Sequence, residues 1–143
     1  MAKQAGFPAR VQIDNSAGAL KDLSNEVTNW SITTTRGTVD ITGQDKSALE
    51  KLHLLADGGF TISGPFNSTA DKSHAVLSVL STVRTVEIAI SDDGAAVSTG
   101  DPELEMEMLI TNYDLSRGAD GGLTFTASFV LADGTVPTWG TAA

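Results

Sequence analysis

Apolar and polar positions alternate along most of this chain, and the period is two far more often than 3.6. Successive side chains of a strand point to opposite faces, so each alternating run predicts a strand with one buried and one wet side. The sharpest run is "ELEMEMLI": Leu104, Met106, Met108 and Ile110 share one parity, and Glu103, Glu105 and Glu107 share the other. A second run sets Leu123, Phe125, Ala127, Phe129 and Leu131 against Thr and Ser. The Gly-rich "SRGADGG" between the two predicts a hairpin. Further strands are predicted over residues 10–14, from about Val27 to Arg36, at "GFTISG" and at "RTVEIAIS", where Val86, Ile88 and Ile90 share a face. "TVDIT", residues 38–42, is also strand-like.

The period changes twice. In "SALEKLHLLADGG", Ser47 and Glu50 have the spacing of a capping box, and Leu49, Leu52 and Leu55 follow at i+3. That pattern predicts a short helix ended at the glycines. "STADKSHAVLSVLSTVR" predicts a longer one, with Ser68 and Asp71 as caps. Val76, Leu80 and Val83, with Leu77 beside them, would form the stripe that packs on the sheet. Six or seven strands and these helices make a mainly β chain, an antiparallel β-sandwich or barrel-like sheet with one flanking α-helix. A single domain is expected over 1–143, with an arm over about 1–9 and a tail over about 133–143, both loose in the monomer. Trp139 lies in that tail, where a large aromatic needs a surface to pack on.

Composition narrows the chemistry. A chain of 143 residues suits one hydrophobic core. No apolar run approaches the ~20 residues of a membrane-spanning helix, and "MAKQAGFPAR" lacks the apolar stretch of a secretory signal. There is no cysteine, so disulfides and thiolate chemistry are absent. With 9 Lys and Arg against 18 Asp and Glu, the net charge of −9 argues against a protein that grips nucleic acid. His53 and His74 stand far apart without ligand spacing, and no nucleophile-elbow pattern occurs. No catalytic, metal or cofactor residue is assigned. The loops "DGAAVSTGD" and "RGADGGL" lack the downstream helix that aims amides at a phosphate. Asp92, Asp93 and Asp101 lack EF-hand spacing and are best taken as solvated loop charge. The glutamate row has two open readings: the wet side of an antiparallel sheet, or the wall of a channel shared by several copies. Same-face neighbours lie about 7 Å apart, inside a Debye length of about 8 Å, so they repel one another modestly.

The order of elements resembles the tail tube proteins of long-tailed, non-contractile bacteriophages. The likeness is carried by "VQIDNSAGALKDLSNEVTNWSI", "LLADGGFTISGPFN", "HAVLSVLSTVRTVEIAI", "LEMEMLITNYDLS" and "GGLTFTASFVLADG", which together span Val11 to Gly134. The resemblance implies a β-sandwich with a flanking helix, forming hexameric rings by sheet pairing between subunits. Such rings stack into a hollow tube that conducts DNA. It implies a structural virion protein, not an enzyme, assembled in the host cytoplasm, with no cofactor and no membrane binding. Its partners would be further copies of itself, tape measure protein and DNA passing through the lumen, and tail terminator and tip proteins. Glu103, Glu105 and Glu107 would line the lumen, where like charge keeps phosphates from sticking. Thr38, Val39, Asp40, Ile41, Leu49, Leu52 and Trp139 would make ring-to-ring contacts. The alternative is a monomeric β-sandwich that binds a ligand or decorates a virion, for which Trp30, Tyr113 and Trp139 are the spare aromatics.

Overall fold

A computed structural model describes residues 8–91, 93 and 95–143. Most of the expected arm over 1–9 and the loop carboxylate Asp92 lie outside them. The elements run β1 (Ala9–Asp14), β2 (Leu20–Asp22), β3 (Asn29–Asp40), β4 (Lys51–Pro65), α1 (Ser73–Leu77), β5 (Val83–Ile90), β6 (Pro102–Arg117), β7 (Leu123–Leu131) and β8 (Thr138–Thr141). The chain is mainly β, as its alternation requires. All strands join one antiparallel sheet in the order β2-β1-β5-β6-β7-β4-β3, and β8 pairs with the start of β6.

One parity of each strand makes the core. Val11 stands opposite Ile88, Val86 opposite Met106, Ile110 opposite Phe129, and Phe129 opposite Phe60. The Phe60 and Phe129 rings lie 5.3 Å apart. Three strands separate β1 from β4 in the sheet, yet Val11, Ile13, Phe60 and Ile62 belong to one buried cluster. The sheet is therefore curled around its inner face. β6 spans the curl: its first half pairs with β5, its second with β7, and a bulge between Ile110 and Asn112 marks the change.

β4 is also divided. Residues 59–63 pair with both β3 and β7, and Gly64 and Pro65 with β7 alone, but residues 51–58 pair with β3 alone. The far end of the β3–β4 hairpin thus projects from the sheet as a two-stranded arm. The short helix expected over Ser47 to Leu55 does not form. Glu50 N–H donates to Thr42 Oγ1 at 2.7 Å, and Glu50 carbonyl accepts from Ile41 N–H at 2.9 Å, which closes the hairpin. So short a helix is marginal in water, whereas the hairpin supplies a ladder of backbone bonds along its whole length.

The second helix is shorter than its pattern. Val76 and Leu77 are fully buried, as expected, but Leu80 lies past the helix end at 46% exposure and Val83 opens β5. The buried Arg84 explains the stop. Its guanidinium donates to Val76 carbonyl at 2.8 Å and to Val79 carbonyl at 2.7 Å, satisfying oxygens that a longer helix would have used itself. At the other end of the chain the tail is tied down. Residues of β8 pair with Pro102–Glu105, and Ala142 N–H donates to Asp101 carbonyl at 2.7 Å.

Candidate assembly surfaces

Because Leu104, Met106 and Met108 fill the core, Glu103, Glu105 and Glu107 point away from it. β5 adds Glu87 opposite Glu105, and Thr85 opposite Glu107, whose Oε1 accepts the threonine hydroxyl at 2.7 Å. Arg10 of β1 reaches Glu103 at 3.1 Å. Carboxylate oxygens of Glu87, Glu103 and Glu105 lie within 4.8 Å of one another. Burial pushes the Glu87 pKa above its ordinary value, and repulsion from Glu103, Glu105 and Glu107 adds to it while Arg10 offsets part. The row is therefore the centre of a wider acidic patch. Glu87 carried a sequence signal, the outward parity of "VEIAI", whereas Arg10 is brought in only by the β1–β5 pairing.

Past the bulge the outward face changes character. Asn112 stands opposite Ser128, Ser128 opposite Thr61, and Thr61 opposite Ser31. A second row runs Asp114, Thr126, Ser63, Asn29. Four strands, β6, β7, β4 and β3, thus present a wall of hydroxyls and amides. Sequence reasoning noted the Thr and Ser only as the wet half of each alternation; their alignment across strands depends on register.

The arm carries the third surface. Thr38, Val39, Asp40, Ile41, Leu49 and Leu52 all lie on it, with Val39 opposite Leu52 and Asp40 opposite Lys51. Leu49 is 70% exposed and Leu55 92%, and Val39, Ile41, Leu52 and Leu54 are exposed beside them. Such a concentration of bare apolar side chains marks an interaction surface. Trp139 is separate, an exposed residue of β8 opposite Leu104.

The remaining aromatics do not converge on one patch. Tyr113 packs on Phe125 and its hydroxyl lies 3.2 Å from His74 Nδ1, while the Phe66 ring packs tilted against His74, 5.1 Å between centroids. Trp30 sits on β3, and His53 on the arm opposite Thr38.

The chain superposes almost end to end on chains of three solved particles. It matches a chain of the native gene transfer agent virion with a TM-score of 0.70 and 15% identity, over 99% of this chain and 100% of that one. It shares the fold of that virion chain. The same figures hold for a chain in the tail of an empty gene transfer agent particle with C6 symmetry: TM-score 0.70, 15% identity, 99% and 100% coverage. A chain of the anti-feeding prophage baseplate, 6-fold symmetrised, matches with a TM-score of 0.61 and 13% identity over 97% and 96%. No protein-family model and no curated protein matches the sequence. The shared fold thus persists at identities where sequence comparison is silent.

Proposed function

We propose that this chain is a tail tube subunit: a non-enzymatic virion protein whose copies close into sixfold rings that stack into a hollow conduit for DNA. The observation that supports it best is the end-to-end likeness to a chain of a tail with C6 symmetry, 99% of this chain on 100% of the other. The exposed arm supports the same reading, because a monomer gains nothing from six bare aliphatic side chains on a projecting hairpin. On this reading the arm residues from Thr38 to Leu52, and Trp139, meet the next ring. Tape measure protein and DNA pass through the bore in turn, terminator and tip proteins close the ends, and assembly takes place in the host cytoplasm.

Two outward faces compete for the bore wall. The acidic patch around Glu103, Glu105 and Glu107 would repel phosphates. The hydroxyl wall of β6, β7, β4 and β3 would offer them no cation to hold. The test of the function itself is negative-stain microscopy with sedimentation of the purified chain at rising concentration. Rings or tubes are expected, and a strict monomer at millimolar concentration would overturn the proposal.

A further inference from the structure

The chain between β2 and β3 turns inward, and Glu26 is buried there at 3% exposure. Its Oε1 has two neighbours from the loop that follows β4: Asn67 Nδ2 donates to it at 3.2 Å, and Lys72 Nζ lies 3.9 Å away. An amide and an ammonium thus meet over one carboxylate oxygen. Among the described residues, Glu26 Oε2 has no hydrogen-bond partner. A buried ion pair that served only as a clasp would need bonds to both oxygens to offset its desolvation.

The loop is folded so as to bring the two side chains together. His74 N–H donates to the Asn67 carbonyl at 3.1 Å and Lys72 N–H to the Thr69 carbonyl at 3.2 Å, which closes residues 67–74 on themselves. Asp71 holds a left-handed φ of 64° immediately before Lys72, a costly state for a residue with a Cβ. Thr69 N–H donates to Asn67 Oδ1 at 3.0 Å. The Asn67 amide is therefore held at both ends, its oxygen by a donor and its nitrogen by a group that can carry a proton.

We propose that Lys72 and Asn67 join in an intramolecular isopeptide bond, with Glu26 moving the protons. Glu26 accepts a proton from the Lys72 ammonium, and the freed lone pair of Nζ attacks Asn67 Cγ. Negative charge gathers on Oδ1, which faces the Thr69 N–H. Glu26 passes its proton to Nδ2 and the Cγ–Nδ2 bond breaks. The nitrogen leaves as ammonia, which takes the second Nζ proton and becomes ammonium. One ammonium on the chain is exchanged for one in solution, so no oxidant, reductant or cofactor is consumed. The Lys72 side chain is 37% exposed, which gives the ammonia a way out. The bond closes a ring over residues 67–72 and fixes Asp71 in its left-handed turn. It does not depend on the tube reading.

The test is the intact mass of the purified full-length chain after a week at neutral pH. A mass below that of the sequence by one ammonia is expected, with one more negative charge on isoelectric focusing. Trypsin should leave the chain uncut after Lys72, and fragmentation of that peptide should join Lys72 to Asn67. Lys72→Arg keeps the cation and removes the nucleophile, so it should show the full sequence mass. Glu26→Gln, folded by circular dichroism, should show it too. The full mass in the unsubstituted chain would overturn the bond. Ammonia loss that persists in Lys72→Arg would assign it to a cyclic imide at Asn67 and overturn the bond equally. Undiminished loss in Glu26→Gln would refute the part given to Glu26. If Glu26→Gln fails to fold, Lys72→Arg alone decides.

Discussion

Arg84 is fully buried, and its guanidinium donates to three carbonyls: Asp14 at 2.7 Å, Val76 at 2.8 Å and Val79 at 2.7 Å. It ties β1, the end of α1 and β5 together from one position. Burial lowers its pKa and the charge of Asp14 partly restores it, but a guanidinium remains charged. Truncation to Arg84→Met would leave those carbonyls buried without donors, so about 3–5 kcal/mol of stability should be lost, read from the urea midpoint. Gly64 constrains the fold differently. A Cβ there would overlap the Glu26 carbonyl, which lies against β4. Gly64→Ala should cost about 1–3 kcal/mol by overpacking, measured the same way. At Glu87 the prediction concerns pH. A carboxyl whose folded pKa is raised stabilises the fold fully below its unfolded pKa, and that contribution disappears as pH rises through the folded value. Glu87→Gln should therefore raise the melting temperature at pH 7, and the gain should shrink as pH falls through the carboxylate range. A gain independent of pH would show that neither burial of the charge nor repulsion within the patch is its cause.

Among the elements, strands were legible because their burial is local to each run: Leu104, Met106 and Met108 report a buried face whatever lies opposite. The helices were legible only in part: the second forms, with Val76 and Leu77 buried, but ends earlier than its stripe, and the first does not form. Leu49, Leu52 and Leu55 fit a helix, but residues 51–58 are held by β3, more than ten positions earlier, and no spacing announces that partner. The stripe through Leu80 and Val83 failed for the same kind of reason, because Arg84 takes the carbonyls that would have continued α1. Of the assembly surfaces, the glutamate row was visible in the sequence, while the hydroxyl wall exists only in the register of four strands. The arm illustrates what an element can do apart from the core. None of its exposed leucines contributes to the buried cluster. Replacing Leu49, Leu52 and Leu55 by Ser should thus leave the melting temperature within about 5 °C, since each surface change falls within about 0.5 kcal/mol, yet, if the arm joins rings as proposed, abolish their stacking in micrographs. A large fall in melting temperature would mean that the arm packs on its own copy instead.

If the chain is a tube subunit as proposed, the question at the scale of the whole molecule is which face the DNA meets. An acidic chain of net charge −9 repels phosphates everywhere, so the wall is identified by where a cation does harm. A lysine inside a sixfold bore is repeated around each ring and along every ring of the tube, and each one can hold a phosphate until salt displaces it. If the hydroxyl wall lines that bore, Asp114→Lys adds that cation to it. Tubes should still form, DNA release should slow by an order of magnitude or more, and raised salt should relieve the delay, as read by dye uptake during ejection. In that case the combined Glu103→Lys, Glu105→Lys and Glu107→Lys chain should release DNA at the ordinary rate. The reverse result, a salt-sensitive delay from the glutamate variant and none from Asp114→Lys, would assign the bore to the acidic patch.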